Sequence, residues 1–210
     1  MIAREAIAGV ILAGGLSRRM GGTDKGLVVL DGVALVAHAR NRLAPQVARL
    51  VVSANGDHSR FEPFCLPVIG DAVPGHAGPL AGIHAAFGWA RENLPGATHL
   101  LSVAADTPFF PEDLAKRLGE AVEGPQALAV AAAAGRVHPV FGLWPLALER
   151  ELEEWLAAGN RKVMDFVTRH NGQEVAFPLV QAGADTVDPF FNINTPGDLD
   201  RAEMPVSLVE

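Results

Sequence analysis

Apolar and polar positions in the first 125 residues fall into short strand-like runs separated by stretches with helical spacing. Ala6 to Leu12 is almost continuously apolar, the pattern of a strand buried on both faces. Ala34 to Val47 sets Leu35, Val36, Ala39, Leu43 and Val47 at helical spacing. Arg49 to Ala54 is a β-branched run, and Leu66 to Ile69 is another that ends at Gly70-Asp71. Pro79 to Leu94 reads as a helix with proline in its first turn. Thr98 to Ala104 reads as an apolar strand closing at Ala105-Asp106-Thr107-Pro108. Pro111 to Val122 reads as a helix opened by Pro111-Glu112-Asp113, acidic residues suited to a helix N-terminus. Strands separated by crossover helices predict an α/β fold: a three-layer, mostly parallel twisted sheet with helices on both faces.

Beyond residue 125 the pattern loosens. Ala127 to Ala134 and Val137 to Trp144 read as strands, Leu146 to Ala158 as a helix, Val163 to Arg169 as a short helix, and Glu174 to Leu179 as a strand. Pro189-Phe-Phe-Asn-Ile-Asn-Thr-Pro196 then precedes a last helical turn near Asp198 to Glu203. With no repeat, low-complexity tract or long linker, residues 1–210 read as a single domain of two halves, about 1–125 and about 126–205. In open α/β sheets, ligands sit beyond the carboxyl ends of the strands. Gly14-Gly15, Ser53-Ala-Asn55, Asp71 and Asp106 each follow a strand, so all four are expected on one edge.

Charge narrows the ligand. The net charge of −7 argues against a nucleic-acid binder, whose footprint is broadly basic. Residues 16–26 nonetheless hold Arg18, Arg19 and Lys25 against Asp24 alone, a local basic spot that suits a small anion. Cys65 is the one cysteine, which rules out an intrachain disulfide and a cysteine-rich metal site. The first strand begins too early to leave room for a signal peptide, and no apolar run reaches the ~18 residues of a membrane span. A reducing cytoplasm is the expected location.

The loop after the first strand carries the most chemistry. It lacks the G-x-G-x-x-G dinucleotide pattern, and Lys25 follows Asp24 rather than glycine, so it is not a Walker A loop. Gly14 and Gly15 let a phosphate approach bare backbone, while Arg19 and Lys25 supply cations. A tight turn followed by a solvated arginine pair is the bland alternative; Ser17, Arg19, Met20, Gly21 and Lys25 together favour the phosphate site. Lysine is scarce (three, against 14 arginines), and one of the three lies in this segment, where a compact charge suits a phosphate oxygen.

Asp106 is either a turn aspartate before Thr107-Pro108 or a Mg²⁺ ligand; a phosphate loop on the same edge favours the metal. Asp71 is either a turn residue or an acceptor for ribose hydroxyls or a guanine edge, and Gly78-Pro-Leu-Ala-Gly82 follows it. Asn192 and Asn194 share a face if their segment is extended, fit either to cap turns or to hold a polar ligand. Gly159-Asn-Arg161-Lys162 is a short basic loop, solvated or facing a second anion. The seven histidines show no metal-ligand spacing, and no G-x-S-x-G occurs, so zinc and activated-serine hydrolysis are unsupported.

Leu12-Ala-Gly-Gly-x-Ser-x-Arg-Met-Gly21-x-x-Asp-Lys25 resembles the signature of small nucleotidyltransferases. With Gly78-Pro-Leu-Ala-Gly82, Asp106-Thr-Pro108 and Asn192-Ile-Asn-Thr-Pro196 in order, the chain is similar to the molybdenum cofactor guanylyltransferase family from about residue 7 to 203. The resemblance implies a Rossmann-like nucleotidyltransferase fold, with a nucleotide-binding first half and an acceptor-binding second half. It implies transfer of GMP from GTP to molybdenum-bound molybdopterin with release of pyrophosphate, assisted by Mg²⁺ on Asp106. Leu12, Ala13, Gly14 and Gly15 would meet the nucleotide, Lys25 its phosphates and Asp71 the nucleoside. Ser53, where the family often has asparagine, would also meet the nucleotide, with Asn55 placed to compensate for the amide. Arg19 adds charge for the leaving pyrophosphate. Arg161, Lys162, Asn192 and Asn194 are assigned to the pterin. Molybdopterin-delivery proteins and molybdoenzyme chaperones are the implied protein partners; no nucleic acid or membrane is. A cytidylyltransferase acting on the same pterin, another small-molecule nucleotidyltransferase, and a non-catalytic nucleotide- or cofactor-binding adaptor remain as alternatives.

Overall fold

The computed structural model describes residues 2–14, 24–71, 78–182, 185–202 and 206–208. Strand β1 (Ile7–Leu12) is followed by a hairpin of β2 (Val29–Leu30) and β3 (Val33–Ala34), helix α1 (Leu35–Leu43), β4 (Arg49–Ser53) and β5 (Val68–Ile69). Then come α2 (Pro79–Asn93), β6 (His99–Ala104), α3 (Leu114–Ala121), β7 (Ala129–Ala133) and β8 (Arg136–Pro145). The chain continues through α4 (Glu149–Ala157), α5 (Val163–Arg169), β9 (Gln173–Ala176), β10 (Val180–Ala182), β11 (Asp185–Val187), α6 (Pro196–Ala202) and β12 (Val206–Leu208).

Seven strands form one sheet in the order β5-β4-β1-β6-β8-β7-β9. The first four are parallel, β8 runs against both β6 and β7, and β9 is parallel to β7. Crossover helices force both faces of such a sheet to be covered, which is why Ile7 to Ile11 are buried without alternation. Ile11, Val52 and Val103 face α1 and α3, whereas Val10, Val51 and Leu100 face α2, α4 and α5. The layers are those expected from the apolar pattern.

Two local expectations need correction. The acidic residues before α3 lie in a turn, and the helix begins only at Leu114. Its Ala115 N–H donates instead to Gln46 Oε1 at 2.8 Å, a cap delivered from beyond α1. The β2–β3 hairpin and a separate antiparallel sheet, β11-β10-β12, are absent from the sequence reading. The hairpin had a signal: Asp31-Gly32 between apolar pairs, both with positive φ, is the favoured two-residue turn.

Helix α2 sits tightly on the sheet near the carboxyl ends of β1 and β4. A Cβ on Gly82 would fall 2.6 Å from Ser53 Oγ and 2.7 Å from Leu12 Cδ2, so only glycine permits this approach. At the other end of α2, on the same face of the sheet, Arg91 pairs with Glu149 at the start of α4 (2.6 Å). Helix α4 therefore runs back toward the carboxyl edge, and the turn after it opens there.

His99 begins β6 at the opposite edge, buried, with Nδ1 2.8 Å from Thr98 Oγ1 and Nε2 without a hydrogen-bond partner among the described residues. Burial pushes this imidazole below its ordinary value of 6.5. The unfolded chain thus takes up a proton before the native one does, so stability present above about pH 6.5 is lost as pH falls through that value. His99→Gln is expected to narrow the drop in Tm between about pH 7.5 and about pH 5.5, measured by thermal melts of both proteins.

Candidate active site

Register decides what meets at the carboxyl edge. Leu12 lies opposite Ser53 of β4 and Ala104 of β6, and Ser53 lies opposite Ile69 of β5. Backbone bonds extend this ladder past the strands: Ala13 N–H donates to Ser53 O (2.9 Å), Ala54 N–H to Ile69 O (2.9 Å) and Ala105 N–H to Leu12 O (3.1 Å). The segments carrying Gly14, Asn55, Asp71 and Asp106 therefore leave the sheet together, as their positions after strands predict. Among the described residues, nothing lies within 4 Å of a Cβ placed on Gly14. Gly15 and Arg19 lie outside the described residues.

The turn Lys25–Leu27 lies over this edge, Gly26 facing Ala13 and Ala105. Lys25 Nζ donates to Asp106 Oδ2 at 3.3 Å and also to Asn194 Oδ1. Three residues separated by 81 and 169 positions in sequence thus form one polar cluster. Asp106 is mostly buried and Lys25 more open. The Lys25 ammonium has three N–H donors, so beside its bonds to Asp106 and Asn194 one remains to donate to a phosphate oxygen.

Asn194 reaches the cluster because its segment docks on the turn after β6. Ile193 N–H donates to Asp106 O (2.8 Å), and the Ile193 side chain is buried between the two asparagines, which face the other way. Thr107, fully buried, donates its hydroxyl to Asn192 Oδ1 at 2.8 Å. Asp198 Oδ2 accepts from the N–H groups of Asn194 (3.0 Å) and Thr195 (2.9 Å), while Thr195 Oγ1 accepts from Asp198 N–H. Burial pushes the Asp198 carboxyl up, but these bonds and Arg201 outweigh it and hold the group below its usual range. Thr195-x-x-Asp198 is a capping pattern visible in the sequence, and it was the available signal for this anchor.

The Asp71 side of the edge is organised by Asn55. Its Nδ2 donates to Asp71 Oδ2 at 2.6 Å and its Oδ1 accepts the Asp71 N–H at 2.9 Å. Ser53, one of the expected contacts, is instead buried beneath Gly82. The two-sided amide contact that a serine cannot provide is made two residues later, onto Asp71. Arg161 and Lys162 do not join the Lys25 cluster. Arg161 Nη1 donates to the carbonyls of Leu156 (2.7 Å) and Asn160 (2.8 Å), closing α4, and Lys162 is exposed at the N-cap of α5. Their turn opens on the same edge, but Arg161 is occupied by helix carbonyls.

Among the described residues, no three His, Cys, Asp or Glu side chains converge on a metal position. Asp106 alone fits a cation that draws its other ligands from water and substrate phosphates, the usual habit of Mg²⁺.

The mostly parallel sheet carries a lysine, a carboxylate and an aspartate-bearing loop at its carboxyl edge, and the family match makes the chain a nucleotidyltransferase. Residues 9–175 match the MobA-like NTP transferase domain. The chain belongs to that family. It is 52% identical over 201 residues to a Rhizobium johnstonii protein named molybdenum cofactor guanylyltransferase, covering 95% of this chain and 93% of the relative. It is 50% identical over 195 residues to a Cereibacter sphaeroides protein of the same name, covering 93% and 94%. Among solved structures, molybdopterin-guanine dinucleotide biosynthesis protein A from Archaeoglobus fulgidus superposes with a TM-score of 0.67 at 26% identity, covering 93% of this chain and 96% of that one. No helix among the described residues is long and apolar enough to cross a membrane.

Thr107→Val keeps the shape of a buried side chain while removing its bond to the exposed Asn192 and its 3.4 Å contact with Asp106 Oδ1. The expected loss is about 1 kcal/mol in denaturant unfolding, because Asn192 can turn to water.

Proposed function

We propose that this chain transfers GMP from GTP to the terminal phosphate of molybdenum-bound molybdopterin, forming the guanine dinucleotide cofactor and releasing pyrophosphate. The observation that carries this reading is the contact of Lys25 with both Asp106 and Asn194, in a family whose curated relatives are named for this reaction. It joins a phosphate-binding cation, a metal-fitting carboxylate and the acceptor-side segment at one point.

In the reaction a pterin phosphate oxygen attacks the α-phosphorus of GTP, a new P–O bond forms, and the bond to the β-phosphate oxygen breaks. No covalent enzyme intermediate is required, so positioning and charge neutralisation supply most of the rate. Lys25 receives the phosphates of GTP, with Leu12, Ala13, Gly14 and Gly15 offering close backbone approach. Asp71, oriented by Asn55, receives the nucleoside. Arg19 stands by sequence in the same phosphate loop and is assigned to the pyrophosphate. Asp106 would hold Mg²⁺, which when bound neutralises phosphate charge as the leaving group departs. Asn192 and Asn194 face the acceptor, and Arg161 and Lys162 extend that assignment along the same edge. Once formed, the product would pass to the molybdoenzyme side, by way of delivery proteins or chaperones, and the reaction would take place in the cytoplasm.

Incubation with molybdopterin, molybdate and Mg²⁺, offering GTP, CTP and ATP separately, tests the reading through pyrophosphate release. Release with GTP alone is expected; release with CTP alone would overturn the base assignment, and nucleotide binding without release would favour the adaptor. Asp106→Ala is expected to lower kcat by on the order of 10²–10³ with an unchanged circular dichroism spectrum. Lys25→Ala should raise KM for GTP and also lower kcat, as expected of a cation that serves both the ground and transition states.

A further inference from the structure

We propose that Arg60 is a positioning residue that sets the spacing between the two ends of the nucleotide site, the nucleoside end at Asp71 and the phosphate end at Lys25. The proposal rests on the assignments of Asp71 and Lys25 made above. Arg60 lies on the 3-10 turn His58–Phe64 that follows β4, capped by Asp57, whose carboxylate accepts the Ser59 N–H at 2.9 Å. Its Nη2 donates to Asn55 O at 2.6 Å and pairs with Asp24 Oδ2 at 3.0 Å. Asn55 grips Asp71 through both sides of its amide, and Asp24 Oδ1 accepts the Gly26 N–H at 3.1 Å, capping the turn that carries Lys25. A polar chain therefore runs from Asp71 through Asn55, Arg60 and Asp24 to the Gly26 N–H, in the turn that carries Lys25.

Arg60 is itself well located. Its guanidinium carbon lies 5.1 Å from the centre of the fully buried Phe61 ring. Gly56, at φ +83°, a conformation that favours glycine, turns the chain beside Arg60. Asp24 is largely buried, and burial pushes its carboxyl up, with the Gly26 bond and the Arg60 charge pulling the other way. Such a partly desolvated pair adds little net stability, because desolvation offsets its attraction. Its use is geometric: a planar, always-charged fork holds acceptors from two separate segments at a fixed distance, which a flexible ammonium does not.

GTP spans both ends covalently, so its affinity depends on their spacing, whereas a ligand that occupies one end alone is indifferent to it. Guanosine and tripolyphosphate serve as single-end probes, measured as inhibitors beside the KM and kcat for GTP in the pyrophosphate-release assay. Arg60→Ala is expected to raise KM for GTP about tenfold while leaving inhibition by each probe within about twofold. Asp24→Asn, which keeps the acceptor for Gly26 but removes the charge facing Arg60, should give the same pattern and serves if Arg60→Ala fails to fold. Unchanged GTP kinetics in both variants would overturn the proposal. So would a loss of inhibition by either probe that matches the loss for GTP, because Arg60 would then hold ligand or one end only. Lys25→Ala and Asp71→Asn act as controls: the first should weaken tripolyphosphate and the second guanosine. If neither does, the site assignment has failed; if both do and Arg60→Ala leaves GTP untouched, only the coupling has failed.

Discussion

The site depends on the register of four parallel strands. Leu12 faces both Ser53 and Ala104, and Ser53 faces Ile69, so the residues that follow each strand end at one level. Because side chains alternate with a period of two, a slip of one residue would exchange the two buried faces of a strand. Ile11 and Val103 would then leave the α1–α3 side, and Val10 and Leu100 the α2 side. Packing on both faces thus fixes register to a single residue, and register places Asp106 where Lys25 reaches it.

The second half of the chain serves this arrangement by a reversal. Strand β8 runs antiparallel beside β6, extending the sheet from its middle outward through β7 and β9. The later segment around Asn192 and Asn194 then docks on the turn after β6 through Ile193, Thr107 and Asp198 rather than through a strand. A backbone bond to Asp106, a buried apolar side chain and two carboxylate-bound N–H groups fix it from three sides. The carboxylate proposed for the metal, on the turn after β6, and the amides proposed for the acceptor, on the segment docked against it, are consequently neighbours.

Electrostatics at this edge favours geometry over stability. Asp24 is held where burial opposes its charge, Asp71 is gripped by an amide, and Lys25 is shared between a carboxylate and an amide. A fully apolar edge would be cheaper to fold but could not orient a triphosphate. Hydrogen bonds that point side chains into an open edge are the trade that a binding site makes.

Much of the architecture was legible because apolar periodicity reports burial directly. The runs at 6–12 and 98–104 and the helical spacing at 34–47 and 79–94 became β1, β6, α1 and α2 within a few residues. The capping of α3 by Gln46 and the sheet β11-β10-β12 were not legible, since they are contacts between distant segments with no local pattern. The same division runs through the site. Sequence determined the residue types, a glycine loop, a scarce lysine and aspartates after strands, because chemistry needs those groups and strand ends expose them. Only the tertiary structure decided that Asn194 joins Lys25, that Asn55 rather than the buried Ser53 holds Asp71, and that Arg161 closes a helix. Those outcomes turn on side-chain directions and competition for hydrogen bonds among segments up to 169 residues apart, which no linear pattern encodes.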